Sequence, residues 1–154
     1  MISQQTKDRL CAWWSHEALD RPCIMASTLK NGAAWPEEPA PDDYWQNPDL
    51  LSEQVFRRAK RLRYIGEAQP CLYIDYGACA VALQMGARGR WTSRETIWTD
   101  PCVDSAEQVA GCCLGGEWKR IQDKAIDRAL ELGRGRAMLS SYCLGAAADT
   151  TAST

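Results

Sequence analysis

A chain of 154 residues, 45% hydrophobic and 25% charged, has the length of one domain and the balance of an ordinary globular protein, which excludes general disorder. Its 18 basic and 20 acidic residues leave a net charge of −2, too near neutrality to draw in nucleic acid or an anionic membrane surface. The polar opening Met1-Ile2-Ser3-Gln4-Gln5-Thr6-Lys7-Asp8-Arg9 lacks the apolar core of a secretory signal, and no later apolar run approaches the roughly 18 residues that cross a bilayer. A cytoplasmic protein is expected, with its eight cysteines as free thiols.

In chain order, Leu10, Cys11, Trp13, Trp14 and Ala18 recur at helical spacing and predict a helix over Thr6 to Leu19, stopped by Asp20-Arg21-Pro22. Cys23-Ile24-Met25-Ala26 follows as a short apolar run, expected to be a buried strand. The stretch from Lys30 to Asp43, with Gly32, Trp35, Pro36, Pro39 and Pro41, favours an extended loop. Asn47-Pro48 then supplies an N-cap and a proline at the first helical position. Leu51, Val55, Ala59 and Leu62 line one face of the helix it opens, and the basic residues Arg57 to Arg63 form a solvated face.

Pro70 to Ile74 predicts a second strand, followed by a turn at Asp75-Tyr76-Gly77 and a small-residue helix from Ala78 to Met85 that Gly86 ends. Arg90-Trp91-Thr92 and Thr96-Ile97-Trp98-Thr99 resemble the arms of a hairpin. The clearest helix spans Glu117 to Leu132, with Gly133 expected at a left-handed cap. Ala137 to Tyr142 predicts a third strand, and Gly145 to Asp149 could open one more helix. Strand followed by helix is the grammar of α/β folds.

Among chemically useful residues, the cysteines form no C-x-x-C pair and His16 is the only histidine, so no residue is assigned to a metal. His16-Glu17-x-x-Asp20 lacks the second histidine of a zincin helix, and Gly133-x-Gly135 follows a helix instead of a strand, the wrong order for a dinucleotide fingerprint. Cys143, Ser140 and Ser141 have no activating base indicated nearby. Asp75 and Asp149 both fall just after a predicted strand, where α/β folds gather functional groups, although a helix N-cap would explain either.

A resemblance adds to this reading. Ala12-Trp13-Trp14-Ser15-His16-Glu17-Ala18-Leu19-Asp20-Arg21-Pro22 resembles the opening of uroporphyrinogen decarboxylase-like proteins, a helix and then D-R-P before a strand. Four further short motifs follow in the order found in one branch of that family. They are Tyr44-Trp45-Gln46-Asn47-Pro48-Asp49, Gly66-Glu67-Ala68, Glu95-Thr96-Ile97-Trp98 and Gly133-Arg134-Gly135-Arg136.

The resemblance implies an α/β fold, part of a (β/α)₈ TIM barrel, in which residues 1–149 supply the N-terminal helices, the hairpin and the first barrel strands. Residues 150–154 would be a disordered or truncated tail. Cys23-Ile24-Met25 and Met138-Leu139-Ser140 would then be neighbouring or near-neighbouring parallel strands. The family includes cofactor-free decarboxylases of uroporphyrinogen and zinc-dependent methyltransferases acting between corrinoids and thiols.

The implied partner is therefore a small tetrapyrrole or corrinoid-linked substrate, with Asp75 as the catalytic residue and Trp35, Tyr76 and Asp149 as substrate-binding residues. No cofactor is implied for this chain, the zinc ligands of the methyltransferases lying in a later part of their barrel. One departure concerns the segment after the first strand, Ala26-Ser27-Thr28-Leu29-Lys30-Asn31, which lacks the arginines that bind substrate carboxylates in the decarboxylases. An incomplete barrel would leave strand edges open, so the isolated chain is expected to be catalytically silent, marginally stable and prone to self-association. The alternative reading is an inactive truncated product or an interaction module.

Overall fold

The computed structural model describes residues 3–140. Asp149, Ser141, Cys143, the expected helix from Gly145 and the tail 150–154 lie outside the described residues. In order, the elements are α1 (Gln4–Trp14), β1 (Met25–Leu29), α2 (Pro41–Gln46), α3 (Pro48–Arg61), β2 (Leu62–Gly66) and β3 (Cys71–Tyr73). They continue as α4 (Ala80–Gln84), β4 (Gly89–Arg90), β5 (Trp98–Thr99), α5 (Ala106–Gly111), α6 (Gly116–Gly133) and β6 (Met138–Ser140). The architecture is mixed α/β, with three two-stranded sheets and no closed barrel among the described residues.

The helix that Asn47-Pro48 announces begins where expected. The Asn47 side chain accepts the Leu50 N–H at 3.1 Å, and Pro48 stands in the first turn, where its missing N–H costs nothing. Its apolar face, including Leu51 and Ala59, packs on α6 through the fully buried Ala125 and Ala129. Small residues let the two backbones approach, and the buried Ser52 hydroxyl spans the gap by donating within 2.8 Å of the Ala125 carbonyl. One turn earlier on α6, Gln122 is fully buried; it accepts from Gln84 at 2.5 Å and donates to the Ala80 carbonyl at 3.1 Å, fastening α4.

β3 and β6 are the parallel pair, in register Leu72 with Leu139, and the chain between them runs through α4, α5 and α6. Leu72 and Ile74 are fully buried beneath the helices. The expected hairpin forms as β4 and β5, antiparallel with Arg90 opposite Trp98.

Four expectations are corrected. The strand expected at Cys23 to Ala26 starts at Met25, is largely exposed, and pairs antiparallel with β2 in a sheet separate from β6. Cys23-Ile24-Met25 and Met138-Leu139-Ser140 are therefore not neighbouring parallel strands. The cause is a partner hidden in the sequence: β2 follows the last residue of α3 directly, and the Lys30 and Glu67 N–H groups extend its ladder to the Arg61 and Ile24 carbonyls. Gly66 fits there because its φ is +67° and a Cβ would lie 2.2 Å from the Ile24 oxygen.

Next, the first helix ends at Trp14, with His16 at φ 58°, because α1 buries none of its residues, which leaves little packing to carry it on to Leu19. Third, Pro41 opens a short helix, α2, inside the stretch expected to be extended. Fourth, Gly133 has no positive φ; Gly135 at +68° makes the left-handed turn. Gly133 serves close packing, since a Cβ there would sit 3.0 Å from Leu72 Cδ1.

The α1–β1–β2 region is held by charge. The buried Glu67 carboxylate accepts from Arg9 Nε at 2.8 Å, from both terminal nitrogens of Arg21 at 2.7 and 3.1 Å, and from the Ile24 N–H at 2.8 Å. Arg9 also pairs with Asp20. The Arg21 guanidinium, the Ile24 N–H and Arg9 hold the Glu67 carboxyl down to about 2.

Candidate functional site

A chain of aromatic rings crosses the interior from α2 to α6. Tyr44, Trp45, Tyr76, Trp118 and Trp91 follow one another with centroids 4.9 to 6.2 Å apart. Two indoles are anchored at its flank, Trp45 Nε1 donating to the Ser93 carbonyl at 2.8 Å and Trp91 Nε1 to Asp42 at 2.6 Å. This row fixes the segment after β3, because Tyr76 is clamped between Trp45 and Trp118 and is fully buried. Burial pushes its hydroxyl well above the usual tyrosine range, and the oxygen has no hydrogen-bond partner among the described residues.

With Tyr76 turned into the core, its neighbour Asp75 stands on a cavity wall just past the carboxyl end of β3. One carboxylate oxygen, Oδ1, accepts the Gly77 N–H at 2.8 Å, closing a tight Asx turn. It does not cap α4, whose N-cap is Cys79 without a side-chain bond. No donor reaches Oδ2 among the described residues. The cavity measures about 270 Å³, and Asp75 shares its lining with Tyr44, Tyr73, Arg58, Arg94 and Glu95. A second cavity of about 510 Å³ adjoins it across Tyr44, Arg58, Arg94 and Glu95, with Glu38 on its far wall.

Charge in this place is balanced locally. Glu38 pairs with Arg58 at 2.7 Å and also with Arg94, so one carboxylate from the proline-rich loop gathers two guanidiniums from α3 and from the loop between β4 and β5. Burial raises the Tyr44 hydroxyl above its ordinary value, with Arg58 opposing and Asp75 adding to the rise. Such an arrangement, a carboxylate beside two guanidiniums and a phenol, can bind a ligand that carries both N–H donors and carboxylates.

Of the residues predicted as a site, Asp75 lines the cavity, Tyr76 lies behind it in the core, and Trp35 is half exposed with the Arg58 guanidinium 5.7 Å from its ring centroid. Trp35 thus meets the site through Arg58. Asp149 lies outside the described residues. Sequence reasoning missed Arg58, Arg94 and Glu38. Only the contrast between a charged residue and the prolines around Glu38 could have signalled them, since their meeting depends on how the loop folds back.

Among the described residues no three His, Cys, Asp or Glu side chains are grouped to hold a metal ion, and His16 is exposed on the turn after α1. No helix among them is long and apolar enough to cross a membrane. A scan against protein-family models finds no match, and no curated protein or solved structure matches the chain.

Proposed function

We propose that this chain is the N-terminal portion of a uroporphyrinogen decarboxylase-like enzyme, acting by decarboxylation or methyl transfer on a tetrapyrrole or corrinoid-linked small molecule. In this reading β3 and β6 are strands of its (β/α)₈ barrel, and β1 and β2 form an antiparallel appendage outside it. The observation that carries the reading is Asp75, standing at the carboxyl end of a parallel strand whose partner is reached through helices. Barrels collect their reacting groups at that end.

Within this reading Asp75 Oδ2 accepts hydrogen bonds from pyrrole N–H groups, and Arg58 and Arg94, held by Glu38, meet the carboxylates of the ligand. These two arginines occupy the role left vacant by Ala26 to Asn31. The test is a titration of the protein with uroporphyrin, the oxidised and stable form of the substrate, read by quenching of tryptophan fluorescence. Asp75→Asn should weaken binding by about tenfold, or ~1.4 kcal/mol, with the thermal transition unchanged. Uroporphyrin binding that is absent, or equal in Asp75→Asn, would end the proposal.

A second reading, an interaction module without catalysis, is favoured by a different observation. Trp13, Trp14, Ile24, Met25 and Ile65 are all at least 40% exposed on the α1–β1–β2 region, a concentration of bare apolar side chains that a partner or a second copy would cover.

A further inference from the structure

The amino ends of β3 and β6 carry a feature that the proposed function does not use. There, between the last turn of α3, β2 and the residues leading into the parallel pair, lies a groove of about 480 Å³. Its floor is apolar, with Phe56, Leu62, Pro70 and Ala137. Four cations stand around it: Lys30, Lys60, Arg63 and Arg136. A neighbouring hollow of about 350 Å³ shares Pro70, Arg136 and Ala137 and adds Lys7, and no Asp or Glu lines either space.

This one-sided charge is not the habit of the molecule. The chain is net acidic, and many of its other surface cations meet carboxylates, as Arg57 meets Glu53, Arg90 meets Asp100 and Lys124 meets Asp49. Around the groove, Lys30 donates to the Lys60 carbonyl at 2.7 Å and the Lys60 ammonium lies 5.4 Å from the Phe56 ring centroid, which fixes both heads at the rim without neutralising either. Arg63 and Arg136 pair with no carboxylate among the described residues. Favourable interaction of cations with the carboxyl end of α3 explains Lys60 and Lys30, but not Arg63 on β2 or Arg136 before β6. Like charges brought together over an apolar floor are stabilised by an anion that also buries hydrocarbon.

We propose that this groove binds a soluble organic anion with an aromatic body and a phosphate or carboxylate group, the ring lying on Phe56 and Leu62 and the anionic group between Arg63 and Arg136. The groove shares Ala59 and Leu62 with the wall of the Asp75 cavity, but none of its cations lines that cavity, and the site does not depend on the family reading.

Calorimetric titration of the full chain with 1-naphthyl phosphate tests it, with 1-naphthol and inorganic phosphate as the two halves of the probe. Saturable binding of 1-naphthyl phosphate, at least about tenfold tighter than either half and weakened about tenfold in Arg63→Gln/Arg136→Gln, is the expected result. Both substituted positions are exposed, and an unchanged circular dichroism spectrum will show that the fold is kept. Asp75→Asn should leave this binding as it is. The proposal is overturned if 1-naphthyl phosphate does not bind, if the double variant binds it equally well, or if Asp75→Asn abolishes it. It is also overturned if phosphatidylglycerol vesicles capture the protein through the same arginines while 1-naphthyl phosphate does not.

Discussion

The contact between Leu72 and Gly133 reports directly on whether β3, α6 and β6 form one packed unit, just past whose carboxyl end Asp75 stands. Leu72→Ala removes three carbons from a fully buried side chain, about 2.4 kcal/mol at ~0.8 kcal/mol per carbon, and incomplete collapse around the gap brings the loss to ~3 kcal/mol. Gly133→Ala in the unaltered protein gains about 1 kcal/mol of helix propensity at the last residue of α6 and gives a similar amount back. The new Cβ would lie 3.0 Å from Leu72 Cδ1, tighter than ordinary packing. Once Leu72 is truncated that opposition is gone, and the nearest remaining side-chain atom is Ala137 Cβ at 3.8 Å. Gly133→Ala should then rescue about 1 to 2 kcal/mol of the Leu72→Ala loss, a coupling well above the ~0.5 kcal/mol scatter of independent sites. Urea unfolding followed by tryptophan fluorescence on the four proteins of the cycle measures it. Additive losses would mean that α6 does not rest on β3, and the parallel unit as described would be wrong.

Glu67 makes stability depend on acid. Its folded-state carboxyl is lowered from 4.5 to about 2, so its contribution is complete above pH 4.5 and is lost as pH falls toward 2. The midpoint of thermal unfolding should drop over that window, and Glu67→Gln should remove much of the drop while lowering stability near neutrality; an unchanged pH profile in the variant would refute the assignment. Residues of α1, β1 and β2 contribute nothing to the central cluster of buried side chains. Amide hydrogens of α1 and β1 should therefore exchange well before those of α3 and α6, and calorimetry should show a broad or two-step transition, whereas uniform protection would show one cooperative unit.

How much of this was legible in the sequence depends on whether the signal was local. Asn47-Pro48 fixed the start of α3 because capping is a matter of a few bonds within one turn, and α6 was plain because Trp118, Ile121, Ala125 and Ala129 repeat at helical spacing over about three turns. β2 was hidden because Leu62 follows Arg61 with no glycine or proline between, so a strand reads as the fraying end of a helix. Gly133 invited the ordinary explanation of a helix cap, and only the position of Leu72, some sixty residues earlier, reveals that it makes room. The place of Asp75 just after a strand was legible from the apolar run Pro70 to Ile74. Arg58 was not: periodicity assigns it to a solvated face, and the chain geometry that brings Glu38 beneath it has no local trace.

The same distinction bears on the motifs that carry the family resemblance. Asp20 and Arg21 of the D-R-P segment and Glu67 of Gly66-Glu67-Ala68 are not scattered: Arg21 holds the Glu67 carboxylate with both terminal nitrogens, and Arg9 bridges Glu67 to Asp20. Gly66 in turn must be glycine for the Ile24 oxygen to fit. These residues are tied together by one buried carboxylate that needs several donors, a role in folding. A likeness built on them transfers architecture more securely than chemistry. Asp75, Arg58 and Arg94, which carry the proposed tetrapyrrole-type site, belong to none of those structural bonds, and their substitution should alter binding while leaving the Glu67 knot intact.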